Sequence, residues 1–188
     1  NDKDSIFNKN QEMKIQLLGI VRRMSKSTSF KNKVLESNFL SMAFSDKQVT
    51  SDVLKTLCKI GELTDEGKQD FIEWFIEFEI SDVNLVIQCL PIVCNKMESK
   101  HECGKLIMKI LNIVGKVQDQ LSKVLPIMTI CCENKATLDM CIDNNTFFTD
   151  LVESTELDTN IRIEAYKIVK RFPKESFGTI QKDFLFLD

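Results

Sequence analysis

Glycine and proline are scarce in this sequence, with six Gly and three Pro in 188 residues. A sandwich or barrel needs turn residues at short, regular spacing along the chain. Too few are available here, so the shortage excludes a sheet-rich fold and favours long helices with short polar connections. Histidine and tryptophan occur once each, so no site built from several histidines can form. No apolar run approaches the ~18 residues of a membrane-spanning helix, and membrane insertion is not expected. There is no P-loop, paired-glycine fingerprint or His-Glu-x-x-His, the short motifs that carry phosphate, dinucleotide or zinc chemistry. A large excess of positive charge is also missing. The net charge is −3 and the isoelectric point about 5.4, so nucleic acid is an unlikely ligand for the chain as a whole.

What is present describes a globular helical protein. Hydrophobic residues at 43% and charged residues at 28% give an ordinary core and surface. The N-terminus, Asn1-Asp2-Lys3-Asp4, is polar and unlike a signal peptide. It has no initiator Met, and the expectation is a segment of a longer protein. The seven cysteines are odd in number and contain no Cys-x-x-Cys. Most fall at apolar helical positions, where a reduced Cys behaves as a small hydrophobe. That predicts free thiols and an intracellular, cytoplasmic or nuclear location. His101 with Cys94 and Cys103 could be imagined as a zinc set or a Cys-His pair. The spacings fit no familiar zinc site, and no third orienting group accompanies the pair. Neither catalysis nor a metal or other cofactor is expected.

Apolar residues recurring every three or four positions mark one face of a helix. Met13, Leu17, Val21 and Met24 make such a face over Gln11–Met24. Val34, Leu35, Phe39 and Leu40 mark a segment from Phe30 to Phe44, broken at Ser45-Asp46. Val49, Val53, Leu57 and Ile60 form a third stripe, and Gly61 and Gly67 bracket the next connection. A short, very apolar helix is predicted over Asp70–Glu79. Ser81-Asp82 starts another, with Val83, Val86, Leu90 and Val93 inward. Further stripes are Cys103, Ile107, Ile110 and Val114, then Leu121, Val124, Leu125 and Met128. Shorter helices are read at Ala136–Ile142 and Phe147–Val152. The last stripe is Ile161, Ala165, Val169 and Phe172, ended by Pro173. The organisation expected is one domain over residues 1–175 and a C-terminal tail over 176–188, which carries Phe184 to Leu187 and receives no assigned state.

Two internal correspondences point to a repeat. At an offset of 35, Leu90-Pro91-Ile92 matches Leu125-Pro126-Ile127, and Glu98 and Lys100 match Glu133 and Lys135. Each proline sits inside an apolar helical pattern, where it should kink the helix. At an offset of 112, the stripe Val49, Val53, Leu57, Ile60 aligns with Ile161, Ala165, Val169, Phe172. Three units of about 37 residues, a period in the range of helical repeats, would produce that spacing. The run Asn32-Lys33-Val34-Leu35-Glu36-Ser37-Asn38-Phe39-Leu40, then Ser45-Asp46, then Val49 to Leu63, resembles an armadillo repeat. Asn134 to Phe172 resembles the same unit with a longer connection, and Val83 to Val114 is similar to a HEAT hairpin. The resemblance covers roughly residues 30–172. It implies an all-α, right-handed superhelix of stacked helical hairpins, about four repeats, built to bind protein. Peptide-binding armadillo proteins carry a ladder of Asn near the end of the third helix. Lys59 and Arg171 stand at the matching positions, so a ladder of that type is not expected.

Charge is unevenly placed. Lys9, Lys14, Arg22, Arg23, Lys26, Lys31 and Lys33 face one acid, Glu12, over residues 9–33. Residues 62–82 hold eight acids against Lys68. Within that acidic stretch Glu66, Asp70, Glu73 and Glu77 step by four, three and four, which on a helix of 3.6 residues per turn makes a narrow ridge. Trp74 lies at its border. The ridge reads either as the solvated face of an apolar helix or as a docking strip for a basic partner segment, with Trp74 as an anchor. The function expected is a protein-interaction scaffold or adaptor, by analogy of fold. The alternatives are a regulator of a small GTPase or of cytoskeletal assembly, and an RNA-associated helical repeat.

Overall fold

The structure, a computed structural model, describes residues 11–37, 39–44, 49–94 and 100–173. Among them there are eleven helices and no strand. They are α1 (Gln11–Met24), α2 (Thr28–Glu36), α3 (Phe39–Phe44), α4 (Thr50–Ile60), α5 (Asp65–Glu77), α6 (Val83–Val93), α7 (Lys100–Val114), α8 (Gln118–Cys131), α9 (Lys135–Asp143), α10 (Asn145–Glu153) and α11 (Thr159–Val169). No helix among the described residues is long and apolar enough to cross a membrane. The chain divides into two compact units, Asn1–Met97 and Glu98–Asp188.

In the first unit α4 is central. It packs against α1, α3 and α6, while α5 packs against α3 and α6. The stripe Val49, Val53, Leu57 and Ile60 is buried throughout, at 3% exposure or less. Gly61 closes α4 in the left-handed conformation, φ 73°, with its N–H on the Leu57 carbonyl at 2.8 Å. A non-glycine residue would be strained there. Arg22 of α1 reaches Asp52 of α4 at 3.1 Å, and Lys31 of α2 reaches Glu62 at 3.0 Å. These pairs engage part of the basic segment within its own unit.

Three expectations are corrected here. The inward face of α1 is Leu18 and Val21 with Lys14, while Met13 and Met24 are about half exposed and Leu17 is only partly covered. The helix carries apolar residues around more than one face, so periodicity alone could choose the wrong stripe. The segment Phe30–Phe44 is two helices, not one. Ser37 ends α2 by donating its hydroxyl back to the Val34 carbonyl at 2.9 Å, the local side-chain competition that makes Ser a poor interior helix residue. Helix α5 begins at Asp65, five residues earlier than predicted, and Gly67 is a buried helical residue. Thr64 supplies the cap, its side-chain oxygen accepting the Gly67 N–H at 3.1 Å, which offsets the poor helix propensity of glycine. The Ser45-Asp46 break, Lys9, Glu98 and the tail from Ser176 lie outside the described residues.

In the second unit α8 packs on α7 and α11, α11 on α10, and α9 on α7 and α10. The stripes on α7 and α8 are buried at 4% exposure or less, and so is Ala165 on α11. Asn134 caps α9 by accepting the Thr137 N–H at 3.2 Å, and Asp158 caps α11 by accepting the Asn160 N–H at 2.8 Å. Both positions are Asx N-caps of the favoured type. The offset of 35 places Pro91 inside α6 and Pro126 inside α8, with Leu90 and Leu125 both fully buried.

Candidate functional site

Helix α5 divides its circumference sharply. Gly67, Phe71, Ile72 and Phe75 are buried, and Phe71 and Phe75 stack with ring centroids 4.6 Å apart. At 3.6 residues per turn the opposite side carries Glu66, Asp70, Glu73 and Glu77. Glu66, Glu73 and Glu77 are exposed and Asp70 is half-buried. Glu66 belongs to the first turn of the helix, so all four carboxylates stand on one continuous element. Their repulsion is a cost of about 0.2–0.5 kcal/mol per like-charged pair at these spacings. Gln69 relieves part of the local field by donating its amide to Glu73 at 2.6 Å. Lys68, the one cation of the stretch, is engaged with Asp65 at 2.7 Å on another side of the helix. The Lys68 ammonium, through its hydrogen bond and then its charge, holds the Asp65 carboxyl below the usual aspartate range. Among the described residues no lysine or arginine forms a salt bridge with Glu73, Glu77 or Glu79.

Trp74 is half-buried rather than projecting. Its ring lies edge-on to Phe75 at 5.0 Å and against Phe78 at 4.9 Å with the planes inclined by 41°. Phe78 is not part of the helix. It is the C-cap, with ψ 159°, and its N–H bonds the Trp74 carbonyl at 3.0 Å. The extended backbone turns the chain over the Trp74 ring and opens a cavity of about 190 Å³ lined by Thr50, Trp74, Phe78, Glu79 and Ser81. Sequence reasoning brought Trp74 and the ridge together but missed Thr50, Glu79 and Ser81. The signal for the last two was the helix start at Ser81-Asp82, which forces a bend just after α5. Asp82 caps α6 by accepting the Leu85 N–H at 3.1 Å.

The residues considered for metal or thiol chemistry are arranged differently. Among the described residues no group of three or more His, Cys, Asp or Glu is placed to hold a metal ion. The Nδ1 of His101 is buried without a hydrogen-bond partner among them. Five cysteines are free, but Cys94 and Cys103 are disulfide-bonded, which corrects the expectation that all seven are thiols. Cys58 and Cys89 bring their sulfurs to 3.4 Å, and Cys132 and Cys141 to 3.5 Å. Burial pushes the Cys89 thiol up, and its contact with Cys58 adds to the effect. The hydrogen bond from Cys141 and the charge of Arg171 hold Cys132 below the ordinary thiol value, while Cys141 is pushed up. Arg171 itself donates to the Thr129 carbonyl at 3.1 Å.

No family model, characterised protein or solved structure matches this chain.

Proposed function

We propose that this chain is a non-catalytic protein-interaction domain of the armadillo/HEAT-like kind, a right-handed superhelix of stacked helical hairpins. In this reading it acts as a scaffold or adaptor that holds a basic segment of a partner protein along the acidic strip of α5. One observation carries it. Three exposed carboxylates and a half-buried fourth line the side of α5 opposite its buried aromatic face. The repeat assignment is supported by the paired prolines inside helices at an offset of 35, and by the four buried pairs at an offset of 112. Helical repeats stack because a single hairpin cannot bury its own apolar face, and they offer extended surfaces to partners. The ion pairs of Arg22 and Lys31 favour a protein partner over RNA. We place the domain inside the cell, since five of its seven cysteines are free, with the disulfide-bonded Cys94 and Cys103 as the exception.

The test is a parallel capture from cell extract with the wild-type chain and with Asp70→Lys combined with Glu73→Lys, quantified by mass spectrometry. The reading expects at least one partner carrying a basic segment to be lost from the folded double variant. Retention of every partner at equal yield rejects the strip as the binding surface.

A further inference from the structure

The cavity beside α5 has walls of a particular chemistry. Two aromatic rings, Trp74 and Phe78, stand 4.9 Å apart and inclined to each other. Glu79 brings a carboxylate, and Thr50 and Ser81 bring hydroxyls. No basic side chain is among the described lining residues. The faces of aromatic rings attract cations, most strongly where the cation is partly desolvated. A carboxylate adds a charge-assisted hydrogen bond to an ammonium, and hydroxyl oxygens can accept the remaining N–H donors. At about 190 Å³ the cavity is smaller than the ~300–1,000 Å³ of sites for small molecules and cofactors. It is sized for one side chain. Trp74 and Phe78 directly follow the exposed strip residues Glu73 and Glu77 in the chain, so a basic segment laid along the strip lies next to residues that line the cavity.

We propose that the Trp74–Phe78–Glu79 cavity is the specificity pocket of the docking strip, and that it takes the alkylammonium of one lysine side chain of the partner. The proposal rests on the docking reading of α5 and adds a position at which a lysine is selected. Glu79 and the hydroxyls take the ammonium, and Trp74 and Phe78, in contact with each other, form one aromatic wall along the methylene stem. Strip carboxylates supply attraction that falls with salt, whereas the cavity supplies recognition of a single residue.

Trp74 is the only tryptophan in the chain, so its fluorescence reports on this cavity alone. The full chain is titrated with Nα-acetyl-lysine amide, with Nα-acetyl-norleucine amide as the uncharged counterpart, at constant ionic strength. The expected result is a saturable change in Trp74 emission with lysine amide, half-complete on the order of 1–10 mM, and none with norleucine amide. Glu79 is exposed, so Glu79→Gln leaves the fold intact, and it should weaken the response at least about threefold. Phe78→Leu keeps apolar bulk and should weaken it by a similar factor. An equal response to norleucine amide, or an unchanged response in Glu79→Gln, overturns the proposal. The strip is tested separately with octalysine. Loss of octalysine affinity in Asp70→Lys/Glu73→Lys, with the lysine-amide response retained, supports both readings. Unchanged octalysine affinity in that variant, with a Glu79-dependent lysine-amide response, upholds the cavity and rejects the strip.

Discussion

Gly104 and Thr137 set the approach of α7 to α9: a Cβ built on Gly104 would lie 2.5 Å from the Cγ2 of Thr137 and 2.9 Å from its Oγ1. Thr137 is fully buried, and its hydroxyl bonds the Lys100 carbonyl at 3.3 Å. Neither partner can withdraw cheaply. Gly104→Ala should therefore destabilise the second unit by about 1–3 kcal/mol through overpacking. Gly19, in α1, is the control, because a Cβ there meets nothing closer than the Arg22 guanidinium at 3.9 Å. Gly19→Ala should be neutral or stabilising by up to ~1 kcal/mol from helix propensity. Thermal unfolding followed by circular dichroism compares the two. Equal effects would mean that α7 and α9 are not in close contact.

The corrected face of α1 makes a second prediction. Leu18 and Leu57 are fully buried, so Leu18→Ala and Leu57→Ala should each cost about 2–5 kcal/mol. Met24 is 48% exposed, and Met24→Gln should change stability by no more than about 0.5 kcal/mol. Denaturant midpoints distinguish this from the stripe Met13, Leu17, Val21, Met24, under which Met24→Gln would be costly.

That error shows what periodicity can and cannot settle. The stripes on α4, α7, α8 and α11 were readable because each falls within the broad apolar face that its helix buries, and the exceptions, Ile113 and Ile130, are single exposed residues outside it. Helix α1 has two candidate faces differing by one residue, and only its contact with α4 decides between them. The break between α2 and α3 and the early start of α5 depend on single side-chain hydrogen bonds, from Ser37 and to Thr64. A count of apolar positions does not register such bonds. For the candidate site, the four-three-four spacing of Glu66, Asp70, Glu73 and Glu77 sufficed to place them on one face. The cavity was not legible, because it exists only where Phe78 leaves the helix in an extended conformation and carries Glu79 and Ser81 past Trp74.

Thiol titration should separate the cysteines into two classes. Unfolded without reductant, the chain should expose five thiols, those of Cys58, Cys89, Cys131, Cys132 and Cys141. After reduction it should expose all seven. Seven thiols before reduction would show Cys94 and Cys103 to be unbonded. In the folded state Cys58, the half-buried one, should react first, while burial pushes the Cys131 thiol up to about 12 and slows its reaction.

Acid should weaken the second unit through Glu133. Its hydrogen bond with Lys100, and then the Lys100 charge, hold its carboxyl below the ordinary value of 4.5. A carboxyl whose folded-state value is depressed adds stability that is complete above the unfolded value and is lost as pH falls through the folded one. Glu133→Gln should therefore lower the melting temperature at pH 7, and the gap to wild type should close as pH falls below 4.5. A gap constant from neutral to acid would remove the ion pair from the account.

The most direct test of the docking strip is the affinity of fluorescein-labelled octalysine, measured by anisotropy at low and physiological salt. Two folded charge-reversal variants are compared with wild type. Asp70→Lys/Glu73→Lys alters the strip, and Glu153→Lys/Glu156→Lys alters two exposed acids of the second unit with the same change in net charge. The account predicts at least about a tenfold loss of affinity, or ~1.4 kcal/mol, for the strip variant and little change for the other, with the difference shrinking as salt rises. Equal losses in the two variants would mean that octalysine reads net charge alone, and would contradict a docking surface on α5.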